Sequence, residues 1–305
     1  MAFNWQTFRT RTISAIIFAA IMLTGLLWNQ WSFLVLFSVI HFGCWWEYLK
    51  LTEKIHNTSF HVYTKLGLMV MGYGLMLWFC GSGYQIEGYG FKENLSLPVS
   101  AVGFALLLIG IFQKNAISLK EFGMALLGLL YISLSWGLMM ELRSLELYYV
   151  EIKETFYDRS WKYPVMIIAS LWINDTMAYI LGSLIGKRSL SRISPKKTWE
   201  GTIGGIVLTI GVMFLVYFFS HRELFSGSPS LSHSAFYWYK DWVFIPLIAS
   251  VVGTIGDLLE SKLKRMAGVK DSGTLLPGHG GFLDRFDSLL LATPFTWLYV
   301  MLFIK

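Results

Sequence analysis

Four acidic side chains sit in stretches that are otherwise apolar. Asp175 lies mid-run in LWINDTMAYILG, Asp257 lies near the end of VVGTIGDLLE, and Asp284 and Asp287 open the last apolar run of the chain. An ionised carboxylate in such surroundings costs several kcal/mol unless it is paired or metal-bound. One such residue reads as a structural ion pair or a helix-end residue. Four near the same ends of three runs point to hard oxygen ligands converging on a cation. Mg²⁺ suits that reading, since it takes one or two carboxylates and fills its remaining positions with water and phosphate.

Basic residues cluster beside these acids. SKLKRMAGVKD places Lys262, Lys264, Arg265 and Lys270 within nine residues, and SPKKTWEGTIGG adds Lys196 and Lys197. Alone, such loops read as segments that face anionic headgroups. Next to carboxylates, they can neutralise a triphosphate and stabilise a leaving pyrophosphate. The turn LPGHGGFLDRFD sets Pro277, Gly278, His279, Gly280 and Gly281 directly before a helix starting near Asp284. Glycines admit backbone N–H groups close to a phosphate, and a helix N-terminus favours anions. The glycines of EGTIGG, residues 200–205, read instead as helix packing. His279 reads as a general acid or base, a phosphate contact or a turn residue. His41, His56, His61, His221 and His233 read as interface or loop residues, and Glu47 as an isolated structural acid at the end of a helix.

These residues need apolar elements to position them, and the composition supplies them. Of the 305 residues, 55% are hydrophobic and only 14% are charged, against roughly 25% charged in soluble domains. Apolar runs lie near 12–28, 31–49, 66–82, 98–112, 122–140, 163–183, 202–220, 242–260 and 286–304. A bilayer core of about 30 Å needs about 20 apolar residues as helix. The expected fold class is therefore all-α: a polytopic membrane bundle of about nine transmembrane helices in a single membrane domain, 1–305. Within it, 1–160 reads as scaffold, dimer-forming and lipid-facing helices, and 161–305 as catalytic helices and loops.

With a cytoplasmic N-terminus, 17 of the 25 Lys and Arg fall on the cytoplasmic side and 8 on the other, as the positive-inside bias requires. Arg9 and Arg11 followed by Ile13–Trp28 resemble a signal peptide in outline. The stretch is long and lacks a small-x-small cleavage site, so it reads as the first membrane helix. The net charge of +6 fits orientation and anionic lipid, and no alternating basic and aromatic run suggests nucleic acid. Cys44 and Cys80 fall in apolar runs and read as packing residues, with no disulfide framework.

The segment Ser261–Asp287 resembles the signature of the phosphatidate cytidylyltransferases, or CDP-diacylglycerol synthases. It carries Ser261, Lys264-Arg265, Lys270-Asp271, Pro277 with His279-Gly280-Gly281, and Asp284-Arg285 with Asp287. Asn174-Asp175, the SPKKTWEG segment with Ser194, Lys196 and Lys197, and GDLLES at 256–261 also match family segments. The resemblance implies transfer of CMP from CTP to phosphatidic acid, giving CDP-diacylglycerol and pyrophosphate. It further implies Mg²⁺ held by Asp257 and Asp284, K⁺ as a second cation, a homodimer, and a bacterial inner membrane with the active site facing the cytoplasm. Lys196, Lys197, Lys264, Arg265 and Lys270 are then candidate phosphate contacts. Arg285 would hold a phosphate or brace Asp271, Asp287 would share the face of Asp284 or orient a ligand, and Asn174 and Asp175 would close the site. Another CTP-dependent lipid enzyme shares this logic. A transporter is the non-enzymatic alternative, but it would place its acids near the bilayer midplane rather than at one face.

Overall fold

A computed structural model describes residues 5–113, 118–145, 147–150, 155–158, 161–220, 239–273 and 280–304. Its helices are α1 (Trp5–Leu27), α2 (Gln30–His56), α3 (Val62–Trp78), the single turn α4 (Phe91–Asn94), α5 (Ser96–Ile111), α6 (Leu119–Gly128), α7 (Ser135–Ser144), α8 (Lys162–Ile185), α9 (Trp199–Ser220), α10 (Asp241–Met266) and α11 (Leu283–Phe303). A π-helical segment, Leu129–Leu134, joins α6 to α7.

Among the described residues, seven helices are long and apolar enough to cross a membrane: Gln30–His56, Phe91–Ile111, Leu119–Ser144, Lys162–Ile185, Trp199–Ser220, Asp241–Met266 and Leu283–Phe303. The runs at 12–28 and 66–82 also fold as helices, within α1 and the 17-residue α3. The outer surface matches a lipid solvent. On α9, Ile203, Val207, Leu215 and Phe219 are each more than half exposed, whereas a soluble protein would turn such a helix inward.

Capping residues fix the turns between helices. Asn29 accepts the Ser32 N–H at 2.8 Å while Ser32 Oγ accepts the Asn29 N–H at 3.1 Å, so α2 starts directly after α1. Ser118 and Glu121 form the equivalent capping box at the start of α6. Asn57, with φ 52°, ends α2 in the left-handed conformation that asparagine tolerates. The architecture is all-α as expected, with two short antiparallel strand pairs among the described residues: β1 (Gln85–Ile86) with β2 (Tyr89–Gly90), and β3 (Leu147–Val150) with β4 (Thr155–Asp158). The second pair forms from LYYV and TFYD, aromatic and β-branched sequences suited to strands.

Small residues let the helices approach closely, as packing in lipid requires. A Cβ on Gly103 of α5 would lie 2.2 Å from the Met71 backbone nitrogen of α3, and one on Gly67 would lie 2.5 Å from that of Leu107. Gly103→Val is therefore expected to force α3 and α5 apart and to cost about 1–3 kcal/mol. A lowered melting midpoint of the detergent-solubilised protein would register it. Gly201 and Gly205 of α9 lie against Ala178 and Gly182 of α8, which bears out the packing reading of EGTIGG. On α10, a Cβ on Gly256 would lie 2.6 Å from the Asp287 carbonyl oxygen. This contact sets Asp257 beside the first turns of α11.

Cys44 and Cys80 are both free and buried. His41 is not an interface residue as its position in the sequence suggested. It is fully buried inside the bundle, with Nε2 3.1 Å from Ser133 Oγ, which also accepts the Trp45 Nε1–H at 2.8 Å. Ser133 belongs to the π-helical segment, whose irregular turn presents that hydroxyl to α2.

Candidate active site

Five pieces of chain meet at one end of the bundle: the C-terminal parts of α2, α8 and α10, the α8–α9 loop, and the first turns of α11. Two cavities open there. The larger, about 420 Å³, lies between α8, the α8–α9 loop and α10, and its polar lining includes Asn174, Asp175, Lys196, Lys197, Thr254 and Asp257. The smaller, about 170 Å³, lies between α1, α8, α10 and α11. It pairs Phe18, Met22, Leu171 and Trp172 with Asp175, Asp257, Asp284, Arg285 and Asp287. Asp175 and Asp257 line both cavities and mark their junction.

Helical spacing produces this arrangement. Asp257, Ser261 and Lys264 recur at four and three residues, so one face of α10 carries all three. Ser261 Oγ donates to Asp257 Oδ1 at 3.2 Å. The other oxygen, Asp257 Oδ2, takes the ammonium of Lys197 from the α8–α9 loop. That loop is itself fixed: Lys197 N–H reaches the Ser194 carbonyl at 3.1 Å, and Glu200 accepts the Lys187 and Arg188 N–H groups at 3.1 and 3.2 Å. Asn174 is buried, and its Oδ1 has no hydrogen-bond partner among the described residues although it borders the larger cavity. Lys196 lines the same cavity and is exposed.

Asp284 plays a different part from Asp257. Its Oδ1 accepts Lys264 Nζ at 2.6 Å, while Oδ2 accepts the Ser272 N–H at 2.9 Å, the Gly281 N–H at 2.8 Å and the Ser272 hydroxyl at 3.0 Å. Lys264 is thus not aimed at open space, as a phosphate contact would be. Its ammonium sits between Asp284 and the fully buried Glu260, 2.5 Å away. The glycines also serve another purpose than the one their sequence suggested. Gly280 adopts φ +82°, and a Cβ there would lie 2.7 Å from Asp284 Oδ2. The N–H groups at the start of α11 go to the protein's own carboxylates, not outward to an anion. Gly281 donates to Asp284, while Phe282 and Leu283 donate to Glu47 at 3.0 and 2.9 Å.

Glu47 is therefore not isolated, and neither it nor Glu260 stood out in the sequence as part of a site. Glu260 carried a signal, being four residues before Lys264 on the same helix. Glu47 carried none. Asp287 borders the smaller cavity and accepts the Ser288 N–H at 2.5 Å. Arg285 is exposed and lines the same cavity, while Arg265, Lys270 and Asp271 are exposed and border neither. His279 and Pro277 lie outside the described residues.

A hard divalent cation at this junction would have carboxylate oxygens as its protein donors. Asp175, Asp257, Asp284 and Asp287 line one small cavity, and an ammonium already lies against Asp257, so these carboxylates draw positive charge toward them. Among the described residues no three His, Cys, Asp or Glu side chains form a group that could by itself hold a metal ion. Such an ion would take its remaining ligands from water and phosphate.

A family model described as the cytidylyltransferase family matches residues 9–303. The chain is 37% identical over 204 residues to the phosphatidate cytidylyltransferase of Bacillus subtilis (strain 168), covering 66% of this chain and 67% of that protein. It is 35% identical over 206 residues to the phosphatidate cytidylyltransferase of Staphylococcus haemolyticus (strain JCSC1435), covering 66% and 68%. The same-named protein of Staphylococcus aureus (strain COL) is 34% identical over 197 residues, covering 64% and 65%. With a match that runs from α1 through α11 and takes in both cavities, the chain belongs to the cytidylyltransferase family.

Proposed function

We propose that the chain is a phosphatidate cytidylyltransferase: it transfers CMP from CTP to phosphatidic acid, releasing pyrophosphate. The observation that carries this reading is the meeting of two unlike cavities at Asp257 and Asp175. The larger, edged by Lys196, Lys197 and Asn174, suits a nucleotide triphosphate. The smaller joins an apolar wall from α1 and α8 to Arg285, which suits a lipid phosphate whose chains remain in the membrane. The relatives named above are bacterial, and the nine-span reading of the sequence puts 17 of the 25 Lys and Arg on the side of the site. Both facts support a bacterial inner membrane with the site facing the cytoplasm.

In this reaction an oxygen of the lipid phosphate attacks the α-phosphorus of CTP as the bond to pyrophosphate breaks. The nucleophile is already ionised near neutral pH, so no strong base is required. The barrier instead contains the repulsion of two anions, which positioned positive charge must offset. Lys196 and Lys197 supply that charge from the nucleotide side and Arg285 from the lipid side. Asp257 and Asp284, which both line the small cavity, would hold a divalent cation, proposed as Mg²⁺, which would supply positive charge against both phosphates. Lys197, now seated on Asp257, would then become available to phosphate oxygens.

The test is an assay of the purified protein with phosphatidic acid and CTP labelled at either the α- or the γ-phosphorus. The α label is expected to enter the lipid and the γ label to leave as pyrophosphate, with turnover lost on chelation of divalent ions. Entry of the γ label into lipid would mark a kinase and overturn the reading.

A further inference from the structure

We propose that Glu47, on a helix of the half that carries no signature residue, is a positioning residue that holds Ser272 and the start of α11 in working order. This inference rests on the reaction proposed above. Glu47 is 5% exposed and makes no ion pair among the described residues. Its charge is instead met by three donors: the Ser272 hydroxyl at 2.6 Å and the Leu283 N–H at 2.9 Å on Oε2, and the Phe282 N–H at 3.0 Å on Oε1. A carboxylate at a helix N-terminus is favourably placed against the helix dipole. The fit is steric as well as electrostatic. A Cβ on Gly273 would lie 2.1 Å from Glu47 Oε1, and one on Gly281 would lie 2.2 Å from Oε2. Two glycines leave the space this carboxylate fills.

Glu47 acts on the site through a chain of contacts. The Ser272 hydroxyl lies between Glu47 and Asp284 Oδ2, and the other oxygen of Asp284 holds Lys264, which Glu260 holds from below. The first turn of α11 thus takes its orientation from α2, and Asp284, Arg285 and Asp287 take theirs from that turn. Among the described residues the hydrogen bonds of Glu47 go to Ser272, Phe282 and Leu283 and to none that lines the larger cavity, so nucleotide binding is expected to survive its loss while turnover does not.

The test compares full-length Glu47→Gln with Glu53→Gln, both in detergent micelles. A glutamine at 47 must turn its NH₂ toward at least one of the three donors, which breaks the clamp with little change in volume. Glu53, on the same helix, pairs with Lys65 at 2.8 Å away from the site and controls for loss of a helix α2 charge. Glu47→Gln is expected to lower kcat by about 30-fold or more, the scale on which partners of functional groups act, with KM for CTP within about threefold. Amide exchange at Ser272, Phe282 and Leu283 is expected to rise at least about tenfold. Glu53→Gln is expected to change neither. If Glu47→Gln cannot be purified folded, Ser272→Ala removes the shared hydroxyl and is expected to shift kcat and exchange in the same direction. Unchanged kcat, unchanged exchange at these amides, or faster exchange spread along all of α2 and α11 would each overturn the proposal. Should the unaltered protein not convert CTP and phosphatidic acid, the proposed reaction fails, and the exchange measurement still decides whether Glu47 holds the turn.

Discussion

Asp257→Asn is expected to lower turnover on the order of 10³-fold or more while leaving the protein folded in the membrane. The substitution keeps the shape of the side chain, and its Oδ1 can still accept the Ser261 hydroxyl, which lies 3.2 Å from that oxygen now. What it removes is the charge that holds Lys197, at the point where the two cavities join. Two consequences separate from each other. Lys197 loses its counter-ion and can move toward the nucleotide, so KM for CTP is expected to stay the same or fall. The reacting phosphates lose the carboxylate that would place a cation between them, so kcat collapses. Steady-state kinetics of the purified variant, across a range of Mg²⁺ concentrations, measure both. Near-normal kcat at limiting Mg²⁺ would remove Asp257 from the metal and leave it as the tether of Lys197 alone. The pair Asp257→Asn with Lys197→Met tests the coupling further. If tethering were the whole role, the double variant would be no worse than Lys197→Met.

Where the chain folds locally, the sequence carried the site well. Asp257, Ser261 and Lys264 share a helix face because they are four and three residues apart, and Asp284 to Asp287 spans one turn. The runs at 163–183 and 202–220 form α8 and α9, whose connecting loop brings Lys197 to Asp257. What the sequence obscured is direction. A run of lysines and arginines is legible as charge, but whether each side chain points at solvent, substrate or a buried acid depends on what stands opposite. Lys264 faces inward onto Glu260 and Asp284, whereas Arg265, one residue on, is exposed. The glycines misled for a related reason. Absence of a side chain signals close approach, yet it does not say what approaches, and here it is the carboxylates of Glu47 and Asp284. Glu47 was illegible because its partner Ser272 lies 225 residues away, and no periodicity reaches across that gap. The count of crossings in the sequence, about nine, exceeds the seven long apolar helices among the described residues because α3 has only 17 residues, at the lower edge of what spans a bilayer, and α1 counts with only its Thr12–Leu27 part.

Asp284→Asn is expected to match Asp257→Asn in lost activity but to differ in what happens to the fold. Three donors converge on Asp284, Lys264 and the Ser272 and Gly281 amides, and the single Ser272 hydroxyl proton is shared with Glu47, which lies nearer. An asparagine cannot satisfy them all. If its NH₂ faces Lys264, an ammonium meets a donor, and Glu260 alone must hold that charge inside the bundle. If its NH₂ faces the other way, the Ser272 and Gly281 amides lose their acceptor, and the turn before α11 loses one of its two clamps. Either orientation leaves buried polar groups unmatched, at a cost of about 2–4 kcal/mol. Asp284→Asn is therefore expected to lower the melting midpoint and to speed amide exchange at Ser272 and Gly281, whereas Asp257→Asn does neither. The double variant with Lys264→Met separates the two orientations. If the loss comes from Lys264 stranded beside Glu260, removing that ammonium strands Glu260 in turn, and stability falls further unless Glu260→Gln is added. If the loss comes from the turn, the triple variant regains nothing, and exchange at Ser272 stays fast. Thermal melting and exchange at these amides decide between them. An Asp284→Asn protein with unaltered melting and unaltered exchange would show that Glu47 alone holds the turn and that Asp284 is free to serve the reaction directly.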